Sequence, residues 1–334
     1  MAANRYKTSA RLIHALLAAK QGHVHLAKQP PTKPAPTEFM PLEDERILLQ
    51  LLPSLRPGTW QGLRCISRGT AEAVTNHLLK AAATRMMTVI PAGQNLCSVL
   101  KQFVHGATVV LAPGRHRWVG KLHANQIRIF GLPGANIQDR VQLAEGSSGS
   151  IYDVSFRSED GCNIRLQDAS WSLHGCTVEC GDPDVAALTA TSSKLALHHC
   201  IVMGIETATA LRSCWMGLLA KGASSIFTNE CIIGPLVQRG VVATDNAVVH
   251  VNGGRIQGCD EIGLRLSGDA HVVGQQVELI NGGMALHVGA SCTGSLELHE
   301  SRIESFRTLC GGDFRTRIVD MQTTKVFNVG VTSD

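Results

Sequence analysis

The chain is short of aromatic residues, short of charge and without a long apolar run, and each shortage excludes something. Of 334 residues only 4% are Phe, Trp or Tyr, so a core built on large rings is not expected. Charged residues make up 17% against 44% hydrophobic, the wrong balance for a wholly disordered chain. No stretch approaches the ~18 apolar residues of a membrane-spanning helix, so no membrane span is expected. The 33 glycines follow no three-residue period, which excludes collagen. The 11 cysteines are odd in number and lack a zinc-finger pair, and read as buried thiols in a reducing, intracellular compartment. What remains is rich in Val, Ile, Ala, Gly and Thr, the composition of thin, closely stacked β layers.

Acids are missing from residues 1–37, which carry Arg5, Lys7, Arg11, Lys20, Lys28 and Lys33. The rest then holds 25 basic residues against 27 acidic ones, too little positive charge for a body that grips nucleic acid. Residues 1–40 read as a basic, Pro-rich tail, either a disordered arm or an organellar targeting peptide, with Gln29–Thr37 as an extended linker.

An internal repeat decides the fold class. Gly217, Gly240 and Gly263 each open a unit of three short alternating segments, and they stand 23 residues apart. Within the units recurs a pattern of apolar, His or Asn, any, small, any, apolar. It is seen at Leu173–Val178, Leu197–Val202, Thr228–Ile233, Val251–Ile256 and Leu298–Ile303, with a one-residue slip expected near Val273–Gln276. Three short strands cannot bury a face alone. Stacked in register at ~4.8 Å they form a right-handed parallel β-helix of about 23 residues per coil, preceded by a small α-helical segment. Stacking puts Cys176, Cys200 and Cys231 in one column, read as small apolar fillers. His174, His198, Asn229, Asn252 and His299 fall in the next, read as turn chemistry in preference to a metal site. Residues 93–103 read as a short helix capping the solenoid, and 309–334 as a C-terminal cap.

The run from Gly106 to Gly134, followed by coils of 22 to 24 residues, resembles the right-handed β-helices of the pectin-lyase-like superfamily over roughly residues 90–308. The resemblance implies a fold, not one activity, because that superfamily holds lyases, hydrolases, epimerases, phage tailspikes and non-catalytic recognition modules.

Residues 41–88 carry helical periodicity broken at Pro57-Gly58. The pattern Leu51, Leu52, Leu55 and Pro57 running into Leu63 and Ile66, ending Ser67-Arg68, resembles an F-box. It departs from that motif at Glu43-Asp44 and at Gly69-Thr70. The resemblance implies docking of a cullin-type ubiquitin-ligase adaptor through those six positions. The alternative is a helical cap.

Catalysis on such a fold requires carboxylates clustered with a base in one outward column. Counting along the repeat gives no such column: the first strand offers Arg265 with His287 nearby, the second His250, and the third a charge ladder of Arg255, Glu278 and Arg302. Asp260-Glu261 reads as a turn. The 31-residue interval between Val202 and Ile233 adds about eight residues near Gly204–Met216, a projecting loop with Glu206, Arg212 and Trp215 as ligand contacts. The sequence therefore predicts a non-enzymatic recognition protein without cofactor, its β-helix binding a protein or glycan through Glu206, Arg212, Trp215, His250, Arg255, Arg265, Glu278 and His287. The alternatives are a carbohydrate-active enzyme and a purely structural solenoid.

Overall fold

The computed structural model describes residues 88–103, 106–158, 164–206, 211–212, 214–312, 319–321 and 323–329. The chain divides into two compact units, Met1–Ala81 and Ala82–Asp334, and everything described belongs to the second. The basic tail and the F-box-like positions Leu51, Leu52, Leu55, Pro57, Leu63 and Ile66 lie outside the described residues.

The described chain is a parallel β-helix whose coils each contribute three short strands. The second strands of successive coils form one continuous 11-stranded sheet, from Thr88–Ile90 at one end to Val319–Asp320 at the other. Its register is unbroken through Lys194, Ser225, Val248, His271 and Ser295, which stand directly above one another. First and third strands merge into a 16-stranded sheet, because the last three coils turn the corner between them without breaking the strand. Arg255–Leu266, Glu278–Val288 and Arg302–Gly312 each run from the third face into the next first face. Beyond them Val319–Asp320 and Lys325–Phe327 add further parallel pairs to the stack.

Alternation explains the layering. Along Lys194–His198 the inward side chains Leu195 and Leu197 are buried while Lys194 is exposed. One continuous core of Leu, Ile, Val, Ala and Cys runs the length of the solenoid. Every rung offers the same narrow interior, so small residues are needed somewhere in each, and Cys176, Cys200 and Cys231 supply them in one column at 1%, 1% and 3% exposure. The described cysteines are free thiols, all buried except Cys310. Burial pushes the thiol of Cys97 up to about 11 and that of Cys259 up to about 12, which keeps both protonated and inert.

The bend after the second strand uses a left-handed residue at Gly175, His199, Glu230, Gly253, Gln276 and Glu300 in successive coils, and Gly254 beside Gly253 is left-handed as well. The residue just before the bend is the His/Asn column, and those side chains meet one another along the axis. Asn252 donates to Asn229 at 2.9 Å, and the rings of His174 and His198 stack at 4.6 Å. Gln275 occupies the same column, paired with Asn252 below and His299 above. The slip expected at Val273–Gln276 is therefore absent. Val277 there takes the position that Cys176, Cys200, Cys231, Gly254 and Ser301 hold in other coils, and the register is kept.

Before the second strand of the sheet comes the short helix Leu96–Leu100, capped by the Asn95 side chain, which accepts from the Cys97 N–H at 3.2 Å. Leu96, Cys97 and Leu100 are buried, and Val99 and Phe103 pack on the core beside them.

Candidate functional site

The outward side of the first strands gathers the chemistry. Register places Leu219, Val242, Arg265 and His287 in one outward column, one per coil. Beside it runs a shorter column in which Met216 aligns with Arg239 and Arg239 with Ile262. Ala186, Met216, Leu219 and Val242 form a second buried cluster, separate from the interior core, although Leu219 and Val242 belong to the outward column. An apolar floor thus passes into a polar patch within one column.

Glu261 carries the carboxylate of that patch. It pairs with Arg239 at 2.8 Å, with side chains 46% and 19% exposed. Arg239 in turn lies over the Trp215 ring at 5.5 Å, within cation–π range. Partial burial, with Arg239 close by, lowers the Arg265 guanidinium from its ordinary value, while Glu261 opposes the shift. Burial together with Arg265 and Arg239 also lowers His287, so its imidazole is neutral near pH 7. Its Nδ1 is buried with no hydrogen-bond partner among the described residues. A neutral imidazole, two guanidiniums, one carboxylate and an exposed indole therefore share one face. This grouping can take a proton at His287 and neutralise an anionic group at Arg239 and Arg265.

Of the eight positions expected to contact a ligand, Trp215, Arg265 and His287 come together here. Arg255 and Glu278 pair with each other on the third face at 2.7 Å. Glu278 aligns with Arg302 as the ladder predicts, but Arg302 forms its ion pair with Glu304 of its own strand at 2.5 Å. His250 stands on the second face, between Phe227 and Val273. In the long coil Ile205–Glu206 pairs antiparallel with Leu211–Arg212, and the side chains of Glu206 and Arg212 are outside the described residues.

Glu261 and Arg239 escaped the sequence reading. Asp260-Glu261 was expected in a turn, and the strand instead passes straight through those residues. Arg239 precedes Gly240, one of the glycines taken to open each unit, so it fell outside the counted columns. The signal for both was present: the 22-residue spacing from Arg239 to Glu261 is one coil.

No protein-family model and no curated protein matches the chain. A search of solved structures finds similarity to one described as the enzymatically active domain of bacteriophage CBA120 tailspike protein 4. It is 10% identical, covers 73% of this chain and 43% of that one, and has a TM-score of 0.40. Less than half of that protein is spanned.

The expectation of a non-enzymatic receptor subunit for a ubiquitin ligase is corrected at this point. The adaptor-docking positions lie outside the described residues, and the first face gathers Glu261 and Arg239 near Arg265 and His287, a grouping that the counted columns did not contain. Among the described residues no helix is long and apolar enough to cross a membrane.

Proposed function

We infer that the protein is a carbohydrate-active enzyme that works on an acidic polysaccharide along the first face of its β-helix. The observation that carries this reading is the column in which Arg265 and His287 adjoin, flanked by the Arg239–Glu261 pair. An ion pair this exposed adds only about 0–1 kcal/mol to stability, so its value lies in holding Arg239 in place.

The chemistry suited to these groups is β-elimination on a uronate sugar. Arg239 and Arg265 bind the sugar carboxylate and stabilise the charge that spreads onto it as the adjacent carbon loses its proton. His287, neutral, accepts that proton. The glycosidic oxygen on the next carbon then leaves, and takes a proton from solvent. Trp215, 36% exposed, offers an aromatic surface to a neighbouring sugar ring. Two-carboxylate hydrolysis fits less well, because only Glu261 contributes a carboxylate to the group described above.

The test uses the full chain with polygalacturonate, alginate and chondroitin, following the ultraviolet absorbance of the unsaturated uronate end. His287→Ala is expected to lower kcat by ~100-fold or more, and Arg265→Ala chiefly to raise KM. Absence of new unsaturated ends with all three polymers sinks the reading.

A further inference from the structure

A second constellation lies on another face, and nothing in the lyase chemistry uses it. Residues two apart on a strand point the same way, so Ser172 and His174 share the outward side of Ser170–His174. His174 Nε2 is 3.0 Å from Ser172 Oγ, and the Ser172 hydroxyl donates to Ser150 Oγ one coil away at 2.8 Å, a bond it exchanges for one to His174 by rotation about Cβ–Oγ. The imidazole is clamped: the Tyr152 ring stacks on one side at 4.6 Å and 14°, and the His198 ring on the other at 4.6 Å and 9°. Phe130 extends the stack beyond Tyr152 at 4.5 Å. Rings stacked in this way hold the imidazole plane fixed and leave its edge to meet the hydroxyl. The rings of Tyr152 and His198 flank His174 with His199 nearby, and burial keeps the imidazole neutral.

Space for a substrate adjoins the hydroxyl. Ser172 is stacked between two small residues, Ser150 and Ala196, and this opens a groove of about 280 Å³. Its rim includes Lys194, Ser170 and the exposed ring of Phe227. A serine hydroxyl in hydrogen-bond contact with a positioned, neutral imidazole, beside a groove with a cation on its rim, is the arrangement that activates a nucleophile.

We propose that Ser172 and His174 form a nucleophile–base pair that hydrolyses a short acyl ester, such as an O-acetyl group on a sugar. Ser172 Oγ attacks the ester carbonyl carbon and its proton passes to His174 Nε2. The resulting oxyanion faces the ammonium of Lys194 and the hydroxyl of Ser150. The intermediate collapses by breaking the bond to the alcohol oxygen, and the alcohol leaves with the proton from His174. Water then attacks the acyl–Ser172 ester, giving its proton to His174. The acid departs as Ser172 Oγ takes that proton back.

The test compares the full-length wild type with Ser172→Ala and His174→Phe, the latter keeping a ring in the stack. Each is given p-nitrophenyl acetate, and separately a fluorophosphonate probe followed by peptide mass mapping. The expected result is a phosphonyl adduct on Ser172 and a loss of ~100-fold or more of nitrophenol release in both variants, with melting temperatures close to wild type. An adduct on another residue, or wild-type hydrolysis no faster than that of Ser172→Ala, overturns the proposal. Neither readout involves uronate elimination, so the two activities stand or fall separately.

Discussion

At the scale of single residues, the stacked imidazoles tie acid stability to the solenoid's surface. Burial, then the neighbouring His198 and His199, lowers His174 from 6.5 to about 4, and His198 is lowered by the same burial. A histidine whose folded value lies below its unfolded value binds its proton more readily when the chain is unfolded. Its contribution is therefore neutral to folding above about pH 6.5 and becomes destabilising as pH falls from there towards about 4. The wild type is expected to lose melting temperature steadily across that interval. His174→Phe, which preserves the ring stack and removes the titration, should flatten the decline, with His198 leaving a residual slope. Thermal melts of both proteins at stepped pH check this, and parallel curves would refute it.

At the scale of elements, the bend into each first strand depends on close approach between coils. A Cβ on Gly240 would sit 2.6 Å from the Gly263 carbonyl oxygen and 2.6 Å from Ile256, and one on Gly217 would sit 2.8 Å from the Gly240 carbonyl oxygen. The Gly263 carbonyl is backbone and the Ile256 methyl belongs to a buried, branched side chain, so neither yields as the far end of a flexible side chain could. Gly240→Ala is expected to cost about 1–3 kcal/mol, the usual range for overpacking, read as a lower denaturation midpoint with unchanged slope. Those glycines were legible in the sequence because the coil length is nearly constant, and so were the Cys column and most of the His/Asn column. Gln275 was misread because identity changed while geometry did not. Glu261 was missed for a different reason: acids are common in turns, and periodicity alone cannot tell a strand that passes a corner from one that stops there. Of the candidate site, Trp215, Arg265 and His287 were named from the sequence, and Glu261 was hidden by the corner.

For the β-helix as a whole, the consequence of stacking is that each coil touches chiefly its neighbours, so stability is a sum of local interfaces along its continuous core. Leu197 is fully buried in a middle coil and Ile90 is 1% exposed in the terminal strand of the same sheet. Truncating either leaves a cavity worth about 2–5 kcal/mol in a rigid setting. The effects should differ in kind. Ile90→Ala weakens an end coil that can fray, which leaves the main calorimetric transition in place with a small early shoulder. Leu197→Ala weakens the joint between two stretches of solenoid that each keep their own neighbours. It should broaden the transition or split it, and bring the van 't Hoff enthalpy well below the calorimetric one. Scanning calorimetry on the two variants distinguishes these outcomes. A single sharp transition shifted equally by both substitutions would mean that the coils unfold as one cooperative unit despite their linear arrangement.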